Sequence, residues 1–226
     1  MVKPASKNTR HSRKKDDVVL YVEGGGSGAH SNALQSELRR SFGTFFSQTS
    51  LGERRRPKVV ACGSREQAFD CFKIALSEGK NALLLVDSEE PVVSAAMSGE
   101  DSSAWRPWLH LKQQAGWSKP KAAKECDVHL MVQCMESWLL CDLPALVKFY
   151  EPGFKSPVLS GTGMEAVAKG VVLSVLQKAT QDCRTKAVYG KGAHSFKLLA
   201  LIDPHKVCAN SPWAARLVAE LERRKP

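Results

Sequence analysis

The sequence has no apolar stretch that approaches the ~20 residues needed to cross a bilayer. Its N-terminus is basic but carries no apolar segment of the secretory kind, so neither a membrane anchor nor a signal peptide is expected. Cysteine never occurs in paired C-x-x-C spacing, which removes Cys126, His129, Cys134 and Cys141 as a zinc set. The seven cysteines are an odd number, several within apolar segments where a thiol acts as a small hydrophobe. No disulfide framework follows, and the expected compartment is the reducing cytoplasm. Acidic residues are also short: 23 Asp and Glu against 33 Lys and Arg leave a formal charge of +10. That balance makes a polyanion the expected partner, nucleic acid before membrane, since no amphipathic basic helix stands out. Internal repeats are absent as well.

What is present reads as one α/β domain. At 226 residues, 43% of them hydrophobic, the chain can bury a sizeable core. Residues 1–16 carry six Lys and Arg before Asp16 and have almost nothing to bury. They read as a basic flexible arm, either a phosphate-binding tail or a solubilising leader. From residue 17, apolar runs at 17–23, 58–62, 82–86 and 128–135 alternate with helical spacing at 30–46, 64–79 and 137–150, the last with Pro144 near the start of a second segment. Ser64 with Gln67 three residues later is a capping box, and Gly79 closes that helix. Strands that are apolar throughout, joined through helices, predict a parallel sheet with helices on both faces. The expected organisation is a Rossmann-like core at 17–155, interrupted by an insertion or lid at about 90–125. A helical C-terminal extension at 156–226 packs on it, with helices near 164–182, 194–202 and 213–224.

Charge falls at unusual places in this pattern. Glu23 ends the first apolar run and is followed by Gly24-Gly25-Gly26. Asp87 and Glu89 follow the third run, and Glu136 follows the fourth. Ligands of an open parallel sheet bind outside the carboxyl ends of its strands, so the topology sends all four acids to one edge. Four carboxylates in one crevice repel strongly without a cation, and all-oxygen donors favour Mg²⁺ or Mn²⁺. Such a centre suits phosphodiester chemistry. The glycines read as clearance for an approaching phosphate backbone. Gly24-x-Gly26-x-x-Ala29 also fits a dinucleotide fingerprint, but the tip of the second strand is Cys62 where that cofactor wants an acid. The loop lacks the Lys-Ser/Thr of a Walker A motif. Lys191 and His194 are candidates to contact phosphate, with a plain helix start as the alternative. Arg65, opening the second helix, either reaches a phosphate at the sheet edge or stays solvated. His110 and His129 read as structural. Trp105, Trp108 and Trp117 among basic residues either stack on unpaired bases or pack.

Tyr21-Val22-Glu23-Gly24-Gly25-Gly26 together with Leu84-Leu85-Val86-Asp87-Ser88-Glu89 resembles the Toprim domain of topoisomerases, primases and overcoming-lysogenization-defect (OLD) nucleases. The second acidic pair departs from that signature, Asp-x-Glu standing for Asp-x-Asp. Met131–Leu140 resembles the Pro-Cys-Phe-Glu-x-Trp segment of the RloB-like branch, with Gln133 in place of its Pro. Ala61-Cys62-Gly63-Ser64-Arg65, Pro107-Trp108-x-His110-Leu111 and Lys191-Gly192-x-His194-Ser195-Phe196 are similar to a small OLD/RloB-like bacterial family encoded beside SMC-like ATPases in defence islands. The resemblance implies a Toprim-like fold and a Mg²⁺- or Mn²⁺-dependent nuclease acting on DNA or RNA, an anti-phage effector with an ATPase partner. It implies Glu23 as metal ligand or base, and Asp87, Glu89 and Glu136 as further ligands. Lys191 and His194 serve catalysis, and Gly24, Gly25, Gly26, Arg65 and Lys191 hold nucleic acid. The alternative is a catalytically silent nucleic-acid-binding or regulatory subunit of an ATPase complex.

Overall fold

The computed structural model describes residues 17–26, 31–99, 101–157, 163–192 and 194–224. The basic arm at 1–16 and Ala29 of the glycine-rich motif lie outside the described residues.

Strands β1 (Val19–Gly25), β2 (Lys58–Gly63), β3 (Ala82–Asp87) and β4 (Val128–Met131) form one parallel sheet in the order β2-β1-β3-β4. Alternation along the strands divides the interior in two. Leu20, Val22, Leu83 and Leu85 face one layer, while Tyr21, Ala82, Leu84 and Val86 face the other. Helix α1 (Ser31–Ser47) covers the first face with Leu38, Phe42, Phe45 and Phe46. Helix α2 (Arg65–Ser77) covers the second with Ala68, Phe69, Phe72 and Ala75. Its capping box is formed: Gln67 N–H donates to Ser64 Oγ at 3.2 Å and Ser64 N–H to Gln67 Oε1 at 3.0 Å. The chain therefore leaves β1 toward β2 over one face and crosses back to β3 over the other. Between the carboxyl ends of β1 and β3 lies the switch point where such sheets open a crevice.

The stretch expected as a lid belongs to the second layer. Helix α3 (Pro107–Ala115) starts on Pro107 and ends on Gly116, whose φ is +69°. Trp108 packs on Phe69 and Phe72, Trp117 stacks on Phe69 at 4.2 Å, and Trp105 lies against Trp213. Trp105 and Trp108 are buried in this layer, and Trp117 is partly buried against it.

The helical stretch expected at 137–150, with Pro144 near the start of a second segment, is two helices, α4 (Met135–Leu139) and α5 (Leu143–Tyr150), the second with Pro144 in its first turn. Strand β4 stops at Met131. Beyond these come α6 (Lys169–Thr180), α7 (Ser195–Leu199), α8 (Pro204–Asn210) and α9 (Pro212–Arg223). The larger cluster joins Leu20 and Phe42 to Trp138, Leu176, Leu199 and Leu217, so the C-terminal helices share the core of the sheet. Among the described residues, no helix is long and apolar enough to cross a membrane.

Candidate metal centre

The parallel strands bring Glu23, Asp87 and Glu89 together: one oxygen from each lies within 4.8 Å of the others. Glu23 sits near the end of β1, and its Oε2 accepts the backbone N–H of Asp87 at 3.3 Å. Asp87, the last residue of β3, is buried, and its Oδ1 accepts the Met135 N–H at 2.9 Å. Glu89 follows on a turn pinned by backbone bonds. Ser88 N–H donates to Met131 O and Glu89 N–H to Gln133 O, each at 3.0 Å, and His110 Nε2 meets Ser88 O at 2.9 Å. Glu89 adopts φ +67°, the one non-glycine residue with positive φ among those described. Such a conformation costs of order 1–3 kcal/mol and gathers at functional sites.

Burial is the main force raising the Glu23 carboxyl, with Glu89's charge adding to it against the Asp87 N–H and Arg65. Burial, and then the charge of Glu23, push Asp87 up to about 8. Two adjacent carboxyls that resist ionisation form a site short of positive charge.

Part of that charge comes from a residue with no motif around it. Lys169, at the start of α6, places Nζ 2.7 and 2.6 Å from the two Glu89 oxygens and 3.2 Å from Asp87 Oδ2. Burial works against its ammonium, but Asp87 and Glu89 more than offset this and raise its pKa above the usual value.

Glu136 stands apart from the triad yet lines the same crevice, a pocket of about 280 Å³ that also meets Glu23, Asp87, Lys191 and Ser195. Tyr189 donates its hydroxyl to Glu136 Oε1 at 3.3 Å, and Lys191 Nζ lies 3.7 Å from Oε2. Burial, and next the Glu136 charge, hold the Tyr189 phenol far above its ordinary value, so it remains a donor.

The remaining candidates divide. Lys191 is half exposed and lines the pocket. His194 does not line it: Nδ1 accepts the Gly190 N–H at 3.2 Å, and the ring packs among Phe149, Tyr150 and Tyr189. The hydroxyl at this spot is that of its neighbour Ser195, which accepts the Gly192 N–H at 2.8 Å. Arg65 is outside the pocket lining, with its guanidinium 5.0 Å from the centre of the Trp117 ring. The glycines are not uniformly clearance. A Cβ on Gly25 would fall 2.5 Å from Gln35 of α1, so that position serves close packing, whereas Gly26 has nothing within 4 Å.

Fold and site together define a Rossmann-like α/β protein with an acidic cluster at the switch point of its sheet. The chain belongs to the DUF4276 family, described as a domain of unknown function, whose model matches residues 22–222. No curated protein and no solved structure matches the chain.

Proposed function

We propose that the protein is a Mg²⁺- or Mn²⁺-dependent nuclease of the Toprim kind that hydrolyses phosphodiester bonds of DNA or RNA. In this reading it is the effector subunit beside an SMC-like ATPase in anti-phage defence. The observation that carries the proposal is the meeting of Glu23, Asp87 and Glu89 oxygens within 4.8 Å at the switch point. The donor set fits the ion: all oxygen, carried on separate elements, and short of positive charge, as the raised Glu23 and Asp87 carboxyls attest.

Glu23, Asp87 and Glu89 would hold the cation, and Glu136 lines the adjoining wall. A hard divalent cation supplies charge neutralisation at a phosphodiester and lowers the pKa of a bound water. The chain's own groups do the rest. Glu23 is anchored through Oε2, which leaves Oε1 to accept a proton from the attacking water. Lys191 offers its ammonium to a phosphate oxygen at the pocket wall, and the Ser195 hydroxyl adds a polar contact. The net charge of +10 supplies backbone affinity with little sequence preference.

The test is incubation with plasmid, single-stranded DNA and tRNA, in Mg²⁺, Mn²⁺ or EDTA, with wild type and Glu23→Ala. Cleavage should require metal and fall by at least about 100-fold in the variant. Cleavage that survives both EDTA and Glu23→Ala would overturn the proposal. A second reading has its own observation, since Lys169 already neutralises part of the cluster. A silent nucleic-acid-binding subunit would cut no substrate even with the ATPase added.

A further inference from the structure

The ammonium of Lys169 occupies the Asp87 and Glu89 side of the carboxylate cluster. Its three contacts, to both Glu89 oxygens and to Asp87 Oδ2, match the three donors of a lysine. A divalent ion bound through the same oxygens at ~2.0–2.6 Å would repel an ammonium held on them, like charges only a few ångströms apart.

The backbone around those contacts has other anchors. The start of α6 is anchored separately, by the Lys169 backbone N–H on Gln133 Oε1 at 3.3 Å. The turn that carries Glu89 is pinned by its own backbone bonds and by His110. Asp87 keeps its bond from the Met135 N–H through the other oxygen. The Lys169 side chain is 23% exposed. Ammonium departure would therefore leave strand, turn and helix in place.

Resting on the metal reading above, we infer that Lys169 is a displaceable internal cation. It holds Asp87 and Glu89 until a divalent ion takes the same oxygens, and metal binding releases it. The lysine thereby sets the metal concentration at which the site fills, and it discriminates against monovalent ions too weakly charged to evict it.

The test is Mn²⁺ binding by electron paramagnetic resonance and isothermal titration calorimetry, with melting curves with and without Mn²⁺. It compares wild type, Lys169→Gln and Lys169→Arg. Removal of the competing charge should tighten Mn²⁺ binding about tenfold in Lys169→Gln, the equivalent of one lost ion pair. That variant should melt lower than wild type without metal, with the gap closing as Mn²⁺ is added. Lys169→Arg keeps a cation and should bind within about threefold of wild type. Wild-type binding with a Gln variant no tighter would overturn the inference and leave the metal reading intact. Weaker binding in Lys169→Gln would overturn it too, making the lysine an ally of the ion. Absence of binding in every form would overturn both readings.

Discussion

At the start of β3 and β4, Arg224 reaches Glu220, Asp127, Asn81 and the Ala82 carbonyl, while Arg223 grips the same Glu220. Beside them Arg216 is buried and donates to the carbonyls of Ser102, Glu125 and Val128 and to His129 Nδ1. At the other end of the same strands, Glu23, Asp87, Glu89 and Glu136 have Lys169 and the half-exposed Lys191 as ion-pair partners. The carboxyls register the difference. Burial pushes on Glu220, but hydrogen bonds from Arg223 and Arg224 outweigh it and bring its pKa below the usual value. Burial also pushes on Glu23 and Asp87, and there it prevails. A buried charge matched by partners braces a fold, whereas one left under-matched keeps capacity for a ligand.

The comparison breaks most sharply at Arg216. Replacing it by Met strands three carbonyls, and the loss should reach about 3–5 kcal/mol in urea denaturation. A loss under about 1 kcal/mol would mean that the basic end is not the brace described above. The converse change, Glu23→Gln, removes one of several mutually repelling carboxylates while its amide oxygen can still accept the Asp87 N–H. Metal-free stability should therefore hold within about 0.5 kcal/mol or rise, even as the cleavage proposed above is lost. A clear fall would make Glu23 a structural residue like Glu220.

The smallest effect concerns pH. His129 accepts from Arg216 at Nδ1 and donates from Nε2 to the Cys126 carbonyl at 3.2 Å, a neutral tautomer with both nitrogens satisfied. Burial first, then the charges of Arg216 and Arg224, lower its pKa well below 6.5. Below that value the unfolded chain takes up a proton that the folded chain does not. Its contribution is thus fully present above pH 6.5 and lost as pH falls toward the folded pKa. His110 and His194 are lowered, also chiefly by burial, and act in the same sense. The raised Glu23 and Asp87 carboxyls act in the opposite sense, so the check is a difference: from pH 7 to pH 5 the melting temperature of wild type should fall relative to that of His129→Gln. An unchanged slope in that variant would remove His129 from the account.

The acidic end was legible in sequence because buried parallel strands are apolar throughout and announce their own ends. Glu23, Asp87 and Glu89 each follow such a run, and the β2-β1-β3-β4 order makes neighbours of the first and third strand tips. Lys169 was not legible. A lysine at the start of a helix looks solvated, and its partners lie about 80 residues earlier, joined to it only by tertiary packing. Arg216 was hidden similarly, since one Arg in an amphipathic helix reads as its polar face. The tryptophans were ambiguous because their basic neighbours suit both stacking and a covered interior, and only contacts such as Trp117 on Phe69 decide. The break between α4 and α5 was legible at Pro144, which a helix accepts in its first turn but not in its interior.

The sharing of one core by the sheet and the later helices bears on when the site can exist. Its acids come from the tips of β1, β3 and the start of α4, but Lys169, Tyr189, Lys191 and Ser195 all arrive with the last third of the chain. A folding intermediate with only the sheet formed would hold bare carboxylates with neither counter-charge nor pocket wall. The proposed site would thus be complete only once the C-terminal helices have docked on the sheet.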